Sequence, residues 1–268
     1  MCGRLKMSRQ NFYAVRRRRE RQHVDEGLVL ELVKVERRMQ PRIGGRKLYF
    51  LLQDSLSEQG VQLGRDRFFE VLKKKGLLVK RKRGKVHTTN SRHSLPVFRN
   101  LLKELSMAGS NQAWVSDLTY IRTKEGFLYA ALITDAYSRK IVGYHIGDSL
   151  EAEGCLNALE MALKALPEDK HPIHHSDRGC QYCCHAYVDR LKSRGLRISM
   201  TEQNHCYENS LAERVNGILK QEYEMDRNFA TKAQARKAFK QAVNLYNYRR
   251  PHMSLAYGFP AEVHEDAA

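Results

Sequence analysis

The chain has 268 residues, 42% hydrophobic and 29% charged, with a formal net charge of +17. That composition belongs to a folded globular protein and excludes a disordered or collagen-like one. No apolar run approaches the ~20 residues that a membrane span needs.

The charge is unevenly placed. Residues 1–105 carry 27 Lys and Arg against 10 Asp and Glu, while the remainder is neutral, with 20 of each. A positive excess confined to one segment predicts a polyanion-binding module joined to something else; a solubilising basic face is the alternative. The first 25 residues hold the run Arg16-Arg17-Arg18-Arg19 and none of the apolar stretch of a secretion signal, so a cytoplasmic, nucleoid-associated protein is expected. Six cysteines (Cys2, Cys155, Cys180, Cys183, Cys184, Cys206) make no disulfide framework in a chain of this size. The cluster Cys180/Cys183/Cys184 invites a zinc reading, but a structural site needs two separated ligand pairs and only one is here, which favours free thiols.

In chain order, residues 1–23 are basic and short of large apolar side chains, with Ser8–Tyr13 reading as the tail of a helix-turn-helix. A helical pattern runs from about 27 to 40 and is broken by Pro41 and Gly44-Gly45. A second helix is predicted over 46–56, with Leu48, Leu51, Leu52 and Leu56 at helical spacing. A third spans 65–75, closed by Gly76. Residues 1–83 are therefore read as a small all-α helix-turn-helix region. Arg65, Arg67, Lys73, Lys74 and Lys75, with the tract Lys80, Arg81, Lys82 and Arg83, would contact double-stranded DNA. A helical bundle with an incidental basic surface is the competing reading. Residues 84–112 lack periodicity and read as a linker.

From 113 the period becomes extended. Strands are predicted at 114–121, 127–134 and 141–146, a meander, followed by a helix over 150–166 and a strand at 171–176. Then come a helix at 181–194, a strand at 197–201, and helices at 209–225 and 231–248. Strands first, then alternation, predict an α/β unit over 113–268: a mixed sheet flanked by helices.

Two strand-associated aspartates and one helical glutamate stand out. Asp117 sits inside the first strand between apolar neighbours, where an unpaired charge costs several kcal/mol. Asp177 closes the fourth strand, at the edge where α/β sheets place their sites. Glu213 lies on a helix. Any one of them has a bland reading, as a turn-bonded acid or a solvated helix face; together they predict a cation site. Hard oxygen donors suit Mg²⁺ or Mn²⁺, and two ions about 4 Å apart would serve an in-line phosphoryl displacement. Asn209, Asn216 and Lys220 recur with Glu213 on one helix face and are expected to position a DNA strand.

These residues fall in segments that resemble a known family. They are Asn111–Ile121 around Asp117, Thr134–Gly143, His175–Tyr182 around Asp177, Glu208–Arg214 around Glu213 with Leu219–Glu222, and Tyr246–Leu255. The chain resembles the DDE transposases of the retroviral-integrase superfamily, specifically the second-frame proteins of bacterial insertion sequences of the insertion-sequence-three family. Residues 41–78 are similar to that family's small helix-turn-helix region.

The resemblance implies an RNase H-like core in which Asp117, Asp177 and Glu213 hold two divalent ions. It implies nicking at the element's ends and transfer of the freed 3′-hydroxyl, usually through a circular intermediate. It also implies a homo-oligomer on DNA and a first-frame protein or fusion as partner, since no sustained heptad segment is present here. Asp135 is read as a structural acid. For Arg249 and His252, DNA contact and fixing of the last helix stay open. The chain has Glu208-Asn209-Ser210 where the family usually has Asp-Asn-Ala. A catalytically silent DNA-binding protein is the alternative, and a host nuclease of RNase H type fits the closing motif less well.

Overall fold

The computed structural model describes residues 8–80, 95–103, 105–202 and 209–267, the side chains of 18–24 apart. The tract Arg81, Lys82 and Arg83 lies outside the described residues. The chain divides into two compact units, residues 1–80 and 81–268.

The first unit is three helices: α1 (Arg9–Met39), α2 (Gly45–Glu58) and α3 (Arg65–Lys74). Apolar side chains spaced at helical intervals, among them Val29 and Val33 of α1, Leu48, Leu52 and Leu56 of α2, and Phe68, Val71 and Leu72 of α3, meet in one core. The end of α3 is a glycine cap: Gly76, at φ 66°, donates to Lys73 O, and Leu77 donates to Leu72 O at 2.8 Å. The first helix departs from expectation. It starts at Arg9, capped by the Ser8 side chain on Asn11 N, and not near 27. Arg and Gln favour helix without supplying an apolar period, so a search for periodicity passes over them.

The second unit is built on a five-stranded sheet of order β3-β2-β1-β4-β5. Strands β1 (Ala113–Thr123), β2 (Gly126–Asp135) and β3 (Ile141–Gly147) form the antiparallel meander. Strands β4 (Ile173–Ser176) and β5 (Arg197–Met200) lie parallel to β1 on its other side. This is the expected mixed, RNase H-like sheet. Alternation along β2 sends Ala131 and Ile133 to one face, against α4 (Ala152–Ala165) and the helices α5 (Cys180–Cys183) and α6 (His185–Ser193). Ala130 and Leu132 go to the other, against α7 (Ser210–Glu222) and α8 (Lys232–Tyr248). The single helix predicted over 181–194 is two, because Cys184 adopts an extended backbone and caps α6. A short α9 (Pro260–Asp266) ends the described chain.

Part of the stretch read as a linker, residues 84–112, carries side chains that pack on the sheet. Leu101, Leu102, Leu105 and Met107 pack against β1 and β4, and Leu101 N donates to Ser199 Oγ at 2.8 Å. Irregular spacing hid an apolar segment that covers the sheet. No helix among the described residues is long and apolar enough to cross a membrane.

Two contacts fix helices to the sheet closely enough to be tested. Asn247 of α8 accepts from Ile141 N at 2.9 Å and donates to Ile141 O at 3.0 Å, standing in for a neighbouring strand on the edge. On the opposite face α4 crosses β3 at Gly143, where an added Cβ would lie 2.2 Å from Ala158 O. Gly143→Ala must push α4 off the sheet. The expected loss is about 3 kcal/mol, at the upper end of overpacking costs, measurable as a lowered midpoint in urea unfolding.

Candidate active site

β1 and β4 pair over only three couples, the last being Val115 with His175. Continuing that register two residues further sets Asp117 against Asp177, where the strands have parted. The parting leaves a carbonyl without a ladder partner. Gln112 O accepts from Ile173 N on the β4 side, and carbonyls of the same parity point the same way, so Ser116 O faces the gap. Asn209 fills it, its Nδ2 donating to Ser116 O at 2.9 Å. Asn209 is also the residue just before α7, accepting from Glu213 N through its backbone carbonyl at 3.1 Å; the first turn of α7 carries Glu213, exposed.

Each acid is held differently. Asp117, half-buried, accepts from Leu118 N at 2.9 Å through Oδ1 and from Asn216 Nδ2 at 2.7 Å through Oδ2. Asp177 Oδ1 accepts from Gly179 N at 3.0 Å, and Arg178 ties the following residue to β5 through Thr201 O at 2.6 Å. Burial, then the charge of Asp177 and, less strongly, that of Glu213, push the Asp117 carboxyl up to about 7 against the pull of Asn216 and the Leu118 amide. Among the described residues no three His, Cys, Asp or Glu side chains are drawn close enough to hold a metal between them. Glu213 acts on Asp117 through its charge. Beside the aspartates lies a cavity of about 120 Å³, lined also by Tyr120, Tyr129, Leu150 and Gln181.

The two asparagines are engaged within the fold. Asn209 and Asn216, expected to touch DNA, are 3% and 6% exposed and spend their amides on Ser116 and Asp117. Helical spacing put them on one face with Glu213, but that face turns toward β1. Lys220, half-buried, lies with Nζ 4.5 Å from the Tyr120 ring centroid at the cavity; burial lowers its pKa, the Asp117 charge opposing.

Of the basic residues of α3, Arg67 and Lys74 reach Glu26 of α1 at 3.4 and 2.9 Å. Arg65 and Lys73, with Arg46 and Phe69, line a separate groove of about 490 Å³ in the first unit. Lys75 and Lys80 are exposed.

Sequence reasoning missed His174 and Arg250 as supporting residues, while it reads Asp135 as a structural acid. His174 Nε2 shares hydrogen bonds with Ser116 Oγ (2.7 Å) and Tyr187 OH (2.9 Å) beneath the site, and burial pushes its pKa down to about 3, so it is neutral. Its place immediately before the His175-Ser176-Asp177 segment was the available signal. Asp135 is fully buried and accepts from Asn111 N, Tyr137 N and Ser138 N. In the closing motif it is Arg250 that is fixed, 2% exposed, with bonds of 2.8 and 3.1 Å to Glu222 at the end of α7. His252 Nδ1 shares a 2.9 Å bond with Ser254 Oγ. Arg250→Ala would leave the Glu222 carboxylate without this cation; the expected cost is about 3 kcal/mol, at the lower end for breaking a buried pair, read by thermal unfolding. The thiols have separate partners: Cys183 packs on Met200, while Cys180 and Cys184 meet the side chain and backbone of Gln181.

A mixed five-stranded sheet flanked by helices, with Asp117 on β1, Asp177 just past the end of β4 and Glu213 on the neighbouring α7, has the architecture of an integrase-type core. Family models described as "Integrase core domain" match residues 108–206 and 194–260. The "Insertion element IS600 uncharacterized 31 kDa protein" of Shigella sonnei is 37% identical, covering 99% of this chain and 97% of its own length. "Transposase InsF for insertion sequence IS3A" of Escherichia coli (strain K12) is 33% identical over 83% of this chain and 77% of its own. Among solved structures, the HTLV-2 integrase catalytic core domain in complex with magnesium (trimeric form) is 18% identical, with a TM-score of 0.47, covering 62% of this chain and 99% of its own. The chain belongs to the IS3 family of insertion-sequence transposases, within the retroviral-integrase superfamily.

Proposed function

We propose that this transposase cuts DNA strands at the ends of its insertion sequence and joins them to new positions, with Asp117, Asp177 and Glu213 as the catalytic acids. The observation that supports the reading is the register that sets Asp117 opposite Asp177 across the parted strands, with the charge of Glu213 on α7 felt at Asp117. The donor set fits Mg²⁺ or Mn²⁺: its oxygens are hard, and the proton affinity of Asp117, raised by burial and two neighbouring negative charges, is what a cation would relieve. When bound, a pair of such ions would supply activation of the attacking oxygen and stabilisation of the leaving one.

The chain's own residues do the rest. Asn216 holds Oδ2 of Asp117 and so orients its carboxylate. Gly179 and Arg178 fix the backbone that presents Asp177. Lys220, beside the cavity, is placed to meet a strand's phosphate. Double-stranded DNA is the substrate, and two element ends must be held at once, which calls for an oligomer on DNA, with a first-frame protein or fusion as a further partner.

The test is made in cells. The chain is expressed beside its native flanking DNA, with the fused upstream frame supplied, and joined-end junctions are amplified. Junctions with wild type and none with Glu213→Gln support the assignment; equal junction yields from both would overturn it.

A further inference from the structure

We infer that the first half of α1 is a DNA-contacting arm that grips the phosphates of a duplex without reading its sequence. The inference rests on the assignment of DNA as substrate and adds a contact outside both the active site and the basic residues of α3.

α1 is 31 residues long, about 46 Å at 1.5 Å per residue. Its members in the three-helix core begin only at Leu28 and Val29. Over residues 9–17 no side chain is buried, and Arg9, Arg16 and Arg17 are exposed. The segment 9–21 holds Arg9, Arg16, Arg17, Arg18, Arg19 and Arg21 against a single acid, Glu20. No acidic residue sits in the first turn, so this end of the helix adds like charge to the positive pole of its own dipole. A helical segment that buries no side chain over residues 9–17 and carries this much positive charge is marginal in water and is stabilised by a polyanion.

The distribution selects the occupant. Successive helix positions are 100° apart, so the four consecutive arginine positions 16–19 go round the whole circumference. A second copy of the helix would need an apolar stripe, and 9–19 offers Phe12, Tyr13 and Val15 alone among its larger apolar residues, with no heptad repeat. A duplex groove offers phosphates on both walls, and a helix about 10–12 Å across fits the ~12 Å major groove.

The experiment measures binding of the full chain, without divalent metal, to a duplex ending in the element's terminal sequence and to a scrambled duplex of equal length. Affinity is followed between roughly 50 and 200 mM salt. Replacing Arg16, Arg17, Arg18 and Arg19 together with Gln is expected to reduce the slope of log affinity against log salt by about 3–4, close to 0.9 per phosphate contact. Both duplexes should weaken by the same factor, at least tenfold, and replacement of the four by Lys should restore the slope. An unchanged slope, a loss confined to the element-end duplex, or loss of self-association with DNA affinity intact would each overturn the arm. An unchanged unfolding midpoint of the Gln variant confirms that the fold is not what changed. Since strand joining is not read, the result is independent of whether the acidic site proves catalytic.

Discussion

Asp117→Asn is expected to lower strand joining by about three orders of magnitude while leaving duplex binding within a few-fold of wild type, and Glu213→Gln is expected to do the same. An amide keeps the shape of the carboxylate but loses its charge and half its acceptor capacity for a hard cation. Cation stabilisation of a phosphoryl-transfer transition state is worth several kcal/mol, and about 4 kcal/mol is close to a thousandfold in rate. The measurement is a single-turnover joining assay with a labelled element end, run beside a binding titration. Joining by either variant within tenfold of wild type would remove that residue from the acid set. Loss of binding along with joining would mean that the substitution had damaged the fold.

The second large effect is a competition between protons and metal at Asp117. With its carboxyl pushed up to about 7, the protonated form dominates below neutrality and must release its proton to take a cation. At sub-saturating Mg²⁺, joining should climb about tenfold per pH unit below 7 and level off above it. Raising Mg²⁺ should move the midpoint to lower pH, because the cation competes with the proton. Asn216→Ala removes a hydrogen bond that favours the charged carboxylate, so its midpoint should move upward. Stability has the opposite slope. The folded chain keeps at about 7 a proton that an ordinary aspartate, at 3.8, releases when unfolded. Asp117 therefore contributes most stability below about pH 4 and loses that contribution as pH rises through 7. Mg²⁺ should raise the unfolding midpoint at pH 8 and scarcely at pH 5. A pH-independent joining rate at low Mg²⁺ would refute the competition.

Most of the sheet, and the positions of Asp117 and Asp177 on it, were legible because they rest on short-range signals. The β-branched and aromatic residues of Trp114–Ile121, the short apolar run Phe127–Ile133 bounded by Gly126, and the break before Asp177 mark strands whatever their neighbours do. The losses have physical causes. The first half of α1 is helical with no apolar period to show it, and residues 95–112 pack with no period of any kind. Asn209 and Asn216 lie on the Glu213 face as their spacing says, but spacing does not reveal whether a face looks toward solvent or toward β1. Arg250 and Arg249 are adjacent, and only the position of Glu222 at the end of α7 decides which is buried. The seven-residue α9 was too short to register, though Pro260 stands at its first turn.

The seating of Asn209 against Ser116 O has a consequence for the placement of α7. The apolar side of α7, with Val215, Ile218 and Leu219, lies on β1 and β2, so the helix can dock as soon as the meander has formed. The Asn209 bond acts later and more finely: it pins the first turn of α7, the turn that carries Glu213, to the edge of β1 that β4 leaves open. The position of that turn is therefore set by how far β1 and β4 run together before they part, and a sheet that paired one couple further would leave the asparagine without its acceptor.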